Sequence, residues 1–318
     1  MRVALRALAV CAVLVPGAVS AQSYPSQDIH IICAVPAGSG ADVLVRFFAE
    51  KLRPLMGRTV IVENKIGALG NIAAEYTARA KPDGHTIHIH SASVVATNYS
   101  LLKNPPINPS KDLQMVASLH QQAFMVVVPA ASPYQTLPEL TAAMKAKGDK
   151  ASYGHSNATA KVMGELYKGA TGVSAVDIPY RIAPDSLNDY ASGRLDYGMM
   201  DPVTSISQAK AGRLRMLAAS TGKRLEATPE LPTMKEAGVP VELVLWFGAM
   251  VPAATPKPIV DQLNAWINQV VAMDETKKFL INNGSDPWIN TPEQAQAQFV
   301  KDQNDWAEYV KLAKIEPQ

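Results

Sequence analysis

The sequence predicts an α/β protein of two lobes, each a mixed or parallel sheet flanked by helices, with a ligand cleft between them. Three observations predict this. Strand-like apolar runs alternate with helical stripes, the alternation restarts partway along the chain, and 318 residues exceed one ordinary domain. Hydrophobic residues make up 47 % and charged residues 18 %, enough apolar side chains for sizeable cores and too few charges for disorder.

The first unit begins with an apolar run at 29–35, bounded by proline and glycine, which reads as a buried strand. Val45, Phe48, Ala49, Leu52 and Leu55 then recur at helical spacing. A strand at 60–62, a helix at 71–80 and a strand at 87–89 complete a βαβαβ rhythm. The rhythm resumes with a strand at 125–128, a helix at 137–147 and a strand at 151–154. A helix at 159–169, a strand at 176–178, a helix at 184–192 and strands at 197–200 and 214–219 follow. The tail from 257 to 312 reads as mostly helical, with Trp266, Ile267 and Val270 on one stripe. Clefts between such units are where small ligands bind.

Residues 1–21 read as a secretory signal rather than as part of the fold. Arg2 and Arg6 precede an apolar run at 7–15, Pro16-Gly17 break it, and Val19-Ser20-Ala21 puts small residues at the −3 and −1 positions. Cleavage is expected after Ala21. The run is too short to span ~30 Å of hydrocarbon, and Val10 before Cys11 spoils a lipidation site. Arg2 and Arg6 are the only charges removed, so the net charge falls from +2 to zero. A neutral chain lacks the basic footprint of a nucleic-acid binder. Cys33 is then the sole cysteine and reads as a small buried hydrophobe.

Chemistry concentrates in loops between strands and helices. Pro36-Ala37-Gly38-Ser39-Gly40-Ala41-Asp42 joins the first strand to the first helix. Its glycines allow close backbone approach, and the helix end adds about half a positive charge, so the loop suits a carboxylate or phosphate without Lys or Arg. It is neither a P-loop nor a dinucleotide fingerprint. The alternative is a tight turn with Ser39 or Asp42 capping the helix. Gly154-His155-Ser156-Asn157-Ala158-Thr159 holds the same place in the second unit, with Asn157 or Thr159 as its capping alternative. His90-Ser91-Ala92-Ser93 follows the third strand, where open α/β sheets bind ligands. The six histidines, His30, His85, His88, His90, His120 and His155, show no metal-ligand spacing. His88 and His90 read as a polar strand edge. There is no Gly-x-Ser-x-Gly elbow, and a triad on His155-Ser156 would need a distant carboxylate. No metal and no cofactor are expected.

An ordered series of segments resembles one family along nearly the whole chain after Ala21, the substrate-binding receptors of tripartite tricarboxylate transporters, or Bug-type receptors. The series runs from Tyr24-Pro25 and the glycine loop through Val60-Ile61-Val62-Glu63-Asn64, Gly67-Ala68-Leu69-Gly70 and Ala80-Lys81-Pro82-Asp83-Gly84. It continues with Ile178-Pro179-Tyr180, Ala211-Gly212-Arg213-Leu214-Arg215 and Leu231-Pro232-Thr233 with Glu236-Ala237-Gly238. Trp246-Phe247-Gly248, Pro252 and Thr255-Pro256 complete it. The resemblance implies a two-lobed periplasmic receptor, not an enzyme, that closes over a small organic carboxylate and delivers it to membrane components of the transporter. It implies that Ala37, Gly38, Ser39, Gly40, Ala41 and Asp42, with His155, Ser156, Asn157, Ala158 and Thr159, hold the carboxylate, partly through backbone N–H groups and ordered water. Ser91, Ser93, Tyr180 and Asp201 would line the same cleft. The sequence departs from the family at Ser39, Ala41, His155 and Arg181-Ile182. Arg181 is open to two readings, partner of a second carboxylate or surface residue.

The expected division is residues 22–122 plus 240–318 in one lobe and 123–239 in the other, as a monomer, with crossings near 120–126 and 230–250. Two other outputs stand beside the receptor, a periplasmic hydrolase using Ser156 or Ser39 and a ligand sensor for a signalling partner.

Overall fold

The computed structural model describes residues 24–180 and 183–317; the expected signal segment and Arg181 lie outside them. The first unit runs β1 (Ile29–Cys33), α1 (Gly40–Met56), β2 (Val60–Asn64), α2 (Asn71–Ala78), β3 (Thr86–Ser91), α3 (Ala92–Leu101), α4 (Pro109–Asp112) and β4 (Leu113–Ala123). The middle of the chain forms β5 (Met125–Pro129), α5 (Leu137–Lys147), β6 (Ala151–His155), α6 (Ala158–Thr171), β7 (Ala175–Pro179), α7 (Leu187–Ala191), β8 (Tyr197–Met200), α8 (Pro202–Lys210) and β9 (Leu214–Ala219). The tail returns with β10 (Val244–Pro252), α9 (Lys257–Ala272), α10 (Asp274–Asn282), β11 (Ser285–Pro287) and α11 (Pro292–Leu312).

The strands form two mixed sheets, a larger one ordered β11-β4-β10-β3-β1-β2 and a smaller one ordered β7-β6-β8-β5-β9. The protein is therefore two-lobed, each sheet with its own helices. One core lies between the larger sheet and α1 and α9, where Val45, Phe48, Leu52, Ile267 and Val270 meet Ile29, Ile31, Ile87 and Ile89. Cys33 belongs to it, unpaired and buried. A second core runs from α3 and α11 through Val239, Val241, Leu243 and Leu245 into the α5 and α6 side of the smaller sheet.

Strand direction decides where loops can meet. In the larger sheet β2, β1 and β3 run parallel, and β10 runs against β3 and β4. In the smaller sheet β7, β6 and β8 run parallel, while β5 runs against β8 and β9. Ala123 closes β4 opposite Val244, the start of β10, and Met125 opens β5 opposite both Met200 and Ala219. Only Phe124 separates the two sheets at this joint. The carboxyl ends of β1, β2 and β3 thus lie on one side of it and those of β6, β7 and β8 on the other, so the loops after these strands face one another.

His88 and His90 correct a sequence expectation. They occupy β3, which is interior between β10 and β1, and both rings are buried, so they are no polar edge. His88 finds one partner there, the Ile32 carbonyl at 2.9 Å.

Both crossings between the sheets meet at one buried serine. Phe124 N–H donates to Ser220 Oγ at 3.0 Å, and Ser220 Oγ donates to the Leu243 carbonyl at 2.6 Å. Backbone bonds from Ser220 N–H to Phe124 and from Leu243 N–H to Ser220 frame the same spot. Ser220→Ala would leave a buried N–H and a buried carbonyl without this hydroxyl, a cost of about 2 kcal/mol. Urea unfolding of the two proteins should show it, and an unchanged midpoint would dismiss the clasp.

Candidate functional site

Four helices begin at the facing edges, directly after parallel strands, and each is capped by its own side chain. Ser39 Oγ accepts from Asp42 N–H at the start of α1, and Ser91 Oγ accepts from Val94 N–H at the start of α3. In the other lobe Asn157 Oδ1 accepts from Ala160 N–H at 2.8 Å for α6, and Asp201 Oδ1 accepts from Thr204 N–H at 2.9 Å for α8. Short polar residues with extended backbone suit this position because they satisfy one of the helix's orphan donors. The capping alternative therefore holds at both loops for which it was open, through Ser39 and Asn157. Capping leaves the first amides of α1 and α6 available. Those of Gly40 and Ala41, and those of Ala158 and Thr159, have no acceptor among the described residues. With the helix dipoles behind them, such amides attract an anion.

The α1 loop is held by a buried carboxylate. Asp42 is 1 % exposed. Its Oδ2 accepts from Gly38 N–H at 2.8 Å and Arg46 Nε at 2.8 Å, and its Oδ1 accepts from Asn64 Nδ2 at 2.7 Å. Asn64 Nδ2 also reaches the Val35 carbonyl at 2.8 Å, tying the end of β2 to the loop. Burial works against the charged form, but the bonds from Arg46, Asn64 and Gly38 outweigh it and hold the Asp42 carboxyl down at about 2. Gly38 makes the turn possible, since its φ of 81° is strained for other residues. Ala37, Gly38 and Gly40 stand exposed at the surface of this loop, with Ser39 and Ala41 half-buried.

The second loop is held differently. His155 Nε2 lies 3.3 Å from Asp177 Oδ2, and Lys161 Nζ lies 3.4 Å from the same oxygen. Burial pushes the imidazole's pKa down, against the pull of Asp177. The ring is thus engaged on the β6–β7 pair. Ser156 and Thr159 are half-buried, and their hydroxyls have no partner among the described residues. Tyr180 N–H donates to the His155 carbonyl at 2.8 Å, while its phenol donates to Asp189 Oδ2 at 2.6 Å. Burial and that carboxylate push the phenol up to about 12. Ser93 is fully buried, with Oγ 3.5 Å from the Val244 carbonyl.

The model of the tripartite tricarboxylate transporter family receptor matches residues 44–313. The chain belongs to that family. The family is one of solute-binding receptors, not of enzymes. A relative from Bordetella bronchiseptica is 31 % identical, the match covering 99 % of this chain and 94 % of that one. The periplasmic binding protein BugD is 30 % identical with a TM-score of 0.72, covering 93 % of this chain and all of its own. Rpa4515 of Rhodopseudomonas palustris, solved with adipate, is 28 % identical with a TM-score of 0.76 and the same coverage.

In this receptor the two edges bring together the α1 loop, Ser91 and the segment 64–70 in one lobe, and His155–Thr159, Tyr180 and Asp201 in the other. Geometry divides them by role. Asp42, the His155 ring, the Tyr180 phenol and Asp201 are committed to the protein's own groups. The free donors among the described residues include the amides of Gly40, Ala41, Ala158 and Thr159 and the hydroxyls of Ser156 and Thr159. Ser156 makes no hydrogen bond to His155 among the described residues, so nothing there activates it as a nucleophile. Sequence reasoning missed Arg46 and Asn64 as the loop's supports. Arg46 was legible as the i+4 partner of Asp42 on a helix; Asn64 is adjacent only through strand pairing. No cluster of metal-ligating side chains occurs among the described residues.

Proposed function

We propose that this receptor is exported to the periplasm, binds a small organic carboxylate between its lobes and delivers it to the membrane components of a tripartite tricarboxylate-type transporter. The observation that carries the reading is the pair of capped helices, α1 and α6, whose unsatisfied amides lie on opposite sides of the joint. One carboxylate offers oxygens to both and so favours the closed form. The adipate bound by the Rhodopseudomonas palustris relative supports a carboxylate, and the periplasmic description of BugD supports the compartment. The moving units are residues 22–122 with 240–318 and residues 123–239, hinged at Phe124 and the Ser220 clasp. The donors are fixed and neutral, so affinity should fall as pH drops below the ligand's own pKa.

A thermal-shift screen over C3–C8 mono-, di- and tricarboxylates and aromatic acids tests the reading; shifts only with sugars, amines or metals would end it. With a carboxylate in hand, Ser156→Ala should weaken binding by about 1.5 kcal/mol, the low end for one hydrogen bond to a charged group. Titration calorimetry would register that as roughly a tenfold rise in Kd. An unchanged Kd would take Ser156 out of the site. Loss of uptake on deleting the receptor, with signalling intact, separates transport from sensing.

A further inference from the structure

We infer that the ligand's body beyond its carboxylate is hydrocarbon, an aliphatic chain or an aryl ring, received by a strained apolar loop at Leu69 and by Val203 across the joint. The inference rests on the carboxylate reading above and sharpens it to a substrate class.

Exposed aliphatic side chains gather at the facing edges. Val43, Ile66, Leu69 and Val203 are each about half exposed, Leu69 the most at 61 %. One exposed apolar residue is ordinary, but these four share a location. Val43 stands in the first turn of α1, two residues beyond the free amide of Ala41. Val203 is the second residue of α8, just past its Asp201 cap. Ile66 and Leu69 lie in the loop between β2 and α2. Apolar surface thus flanks the carboxylate's donors in both lobes, and ligand sites commonly pair a few fixed polar groups with apolar walls.

The Leu69 loop is the second observation. Four successive residues, Gly67 to Gly70, have positive φ, of 134°, 46°, 56° and 93°. Glycine takes such angles freely, whereas a leucine there is strained. The surroundings impose the strained form. Asn98 Nδ2 donates to the Leu69 carbonyl at 2.6 Å, and Asn71 Nδ2 to that of Ala68 at 2.7 Å. Ile72 packs on Gly67, where a Cβ would lie 2.6 Å from its Cδ1. Gly70 rests on Ala34, just past β1, and on His90, near the end of β3; a Cβ there would come within 3.3 Å of each. The loop is therefore anchored where the chain leaves β1, β2 and β3.

Leu69 belongs to none of the hydrophobic cores of the described residues. Strain and exposure both cost stability, and no core packing of this side chain offsets them. Strained residues held in place by their surroundings cluster at ligand clamps. A rigidly mounted leucine offers an apolar surface already ordered before the ligand arrives, which lowers the entropy lost on binding.

Titration calorimetry on the full mature chain with three matched pairs tests this: hexanoate against gluconate, adipate against galactarate, and benzoate against shikimate. Within each pair the carbon count and the number of carboxylates are equal, and the second member adds hydroxyls. The hydrocarbon acid should bind at least tenfold more tightly in every pair that binds. Leu69→Gly relieves the strain, so Tm should hold or rise while the hydrocarbon acid loses affinity severalfold. Val203→Ser, at an exposed position, should weaken the same acid without lowering Tm. The heat-capacity change of binding should become less negative in both variants. A hydroxylated acid that binds as tightly as its partner overturns the inference and leaves the carboxylate reading standing. A hydrocarbon preference untouched by both substitutions overturns the roles given to Leu69 and Val203. Binding by none of the six, with another carboxylate found by the screen, would overturn the inference too. Binding confined to solutes without a carboxylate would overturn both readings.

Discussion

Stability should fall steeply as pH drops from 6.5 toward 4, by about 4–5 kcal/mol between pH 7 and pH 5. Three buried histidines cause it. Burial pushes His88 down to about 4, and His90 and His120 to about 3. Their folded pKa values lie below the unfolded value near 6.5, so the unfolded chain binds more protons throughout that window. The stability they confer is complete above pH 6.5 and is lost as pH falls toward the folded values. Each contributes about 2 kcal/mol of loss at pH 5, at about 1.4 kcal/mol per pH unit. Asp302 opposes them. Burial pushes its carboxyl up to about 6, despite hydrogen bonds from Trp246 and Gln298, so the folded chain keeps a proton there that the unfolded chain has released. That returns about 1.4 kcal/mol at pH 5. Urea unfolding at pH 7, 6 and 5 measures the slope. His120→Phe, which keeps a ring beside Phe247, should flatten it by about two-fifths; a slope indifferent to that change would discard the account.

Asp42→Ala should be the most damaging single change at the site. It removes a buried acceptor from Gly38 N–H, Arg46 and Asn64 together. Arg46 is 47 % exposed and regains water, so that part of the loss is screened. The Gly38 amide and Asn64 are less free to do so. A stability loss of about 2–3 kcal/mol is expected. Binding should suffer more, because the amides of Gly40 and Ala41 would no longer be held at one angle. Asp42→Asn, which keeps the shape and one acceptor, should recover much of the stability. Calorimetry with a carboxylate identified by the screen, run beside thermal unfolding, separates the two effects. If Asp42→Ala bound normally, the loop would be self-supporting and the role given to the carboxylate wrong.

Much of this was legible because short loops between strands and helices carry their own chemistry. The glycines, the caps and the βαβ order are local, and the α1 and α6 loops follow from them. What escaped was whatever depends on distant partners. β4 and β10 sit inside the larger sheet, buried on both faces, so neither shows the alternation that marks a half-buried strand. Polar residues in β4 disguise it further. Its Ser118 N–H is met by Asn290 and its Met115 N–H by Gln296, both near the end of the chain. No element is read between the strands at 197–200 and 214–219, although aspartate before proline is a helix start and α8 begins there. Arg46 and Asn64 show the same limit at the site, since one role is set along a helix and the other across a sheet.

The placement of β10 bears on how the molecule is assembled in time. β10 lies between β3 and β4, yet it follows all five strands of the smaller sheet in the chain. As the polypeptide emerges amino end first, the smaller sheet has all its strands while the larger one is still two separate pieces. β1, β2 and β3 wait on one side with an open edge, and β4 on the other. Open edges of this kind invite pairing with other chains. Long-range closure of the larger sheet should therefore be the late event in folding and the stage most exposed to aggregation. A chain cut short before Val244 would carry a finished smaller lobe beside a larger one that has no means of closing.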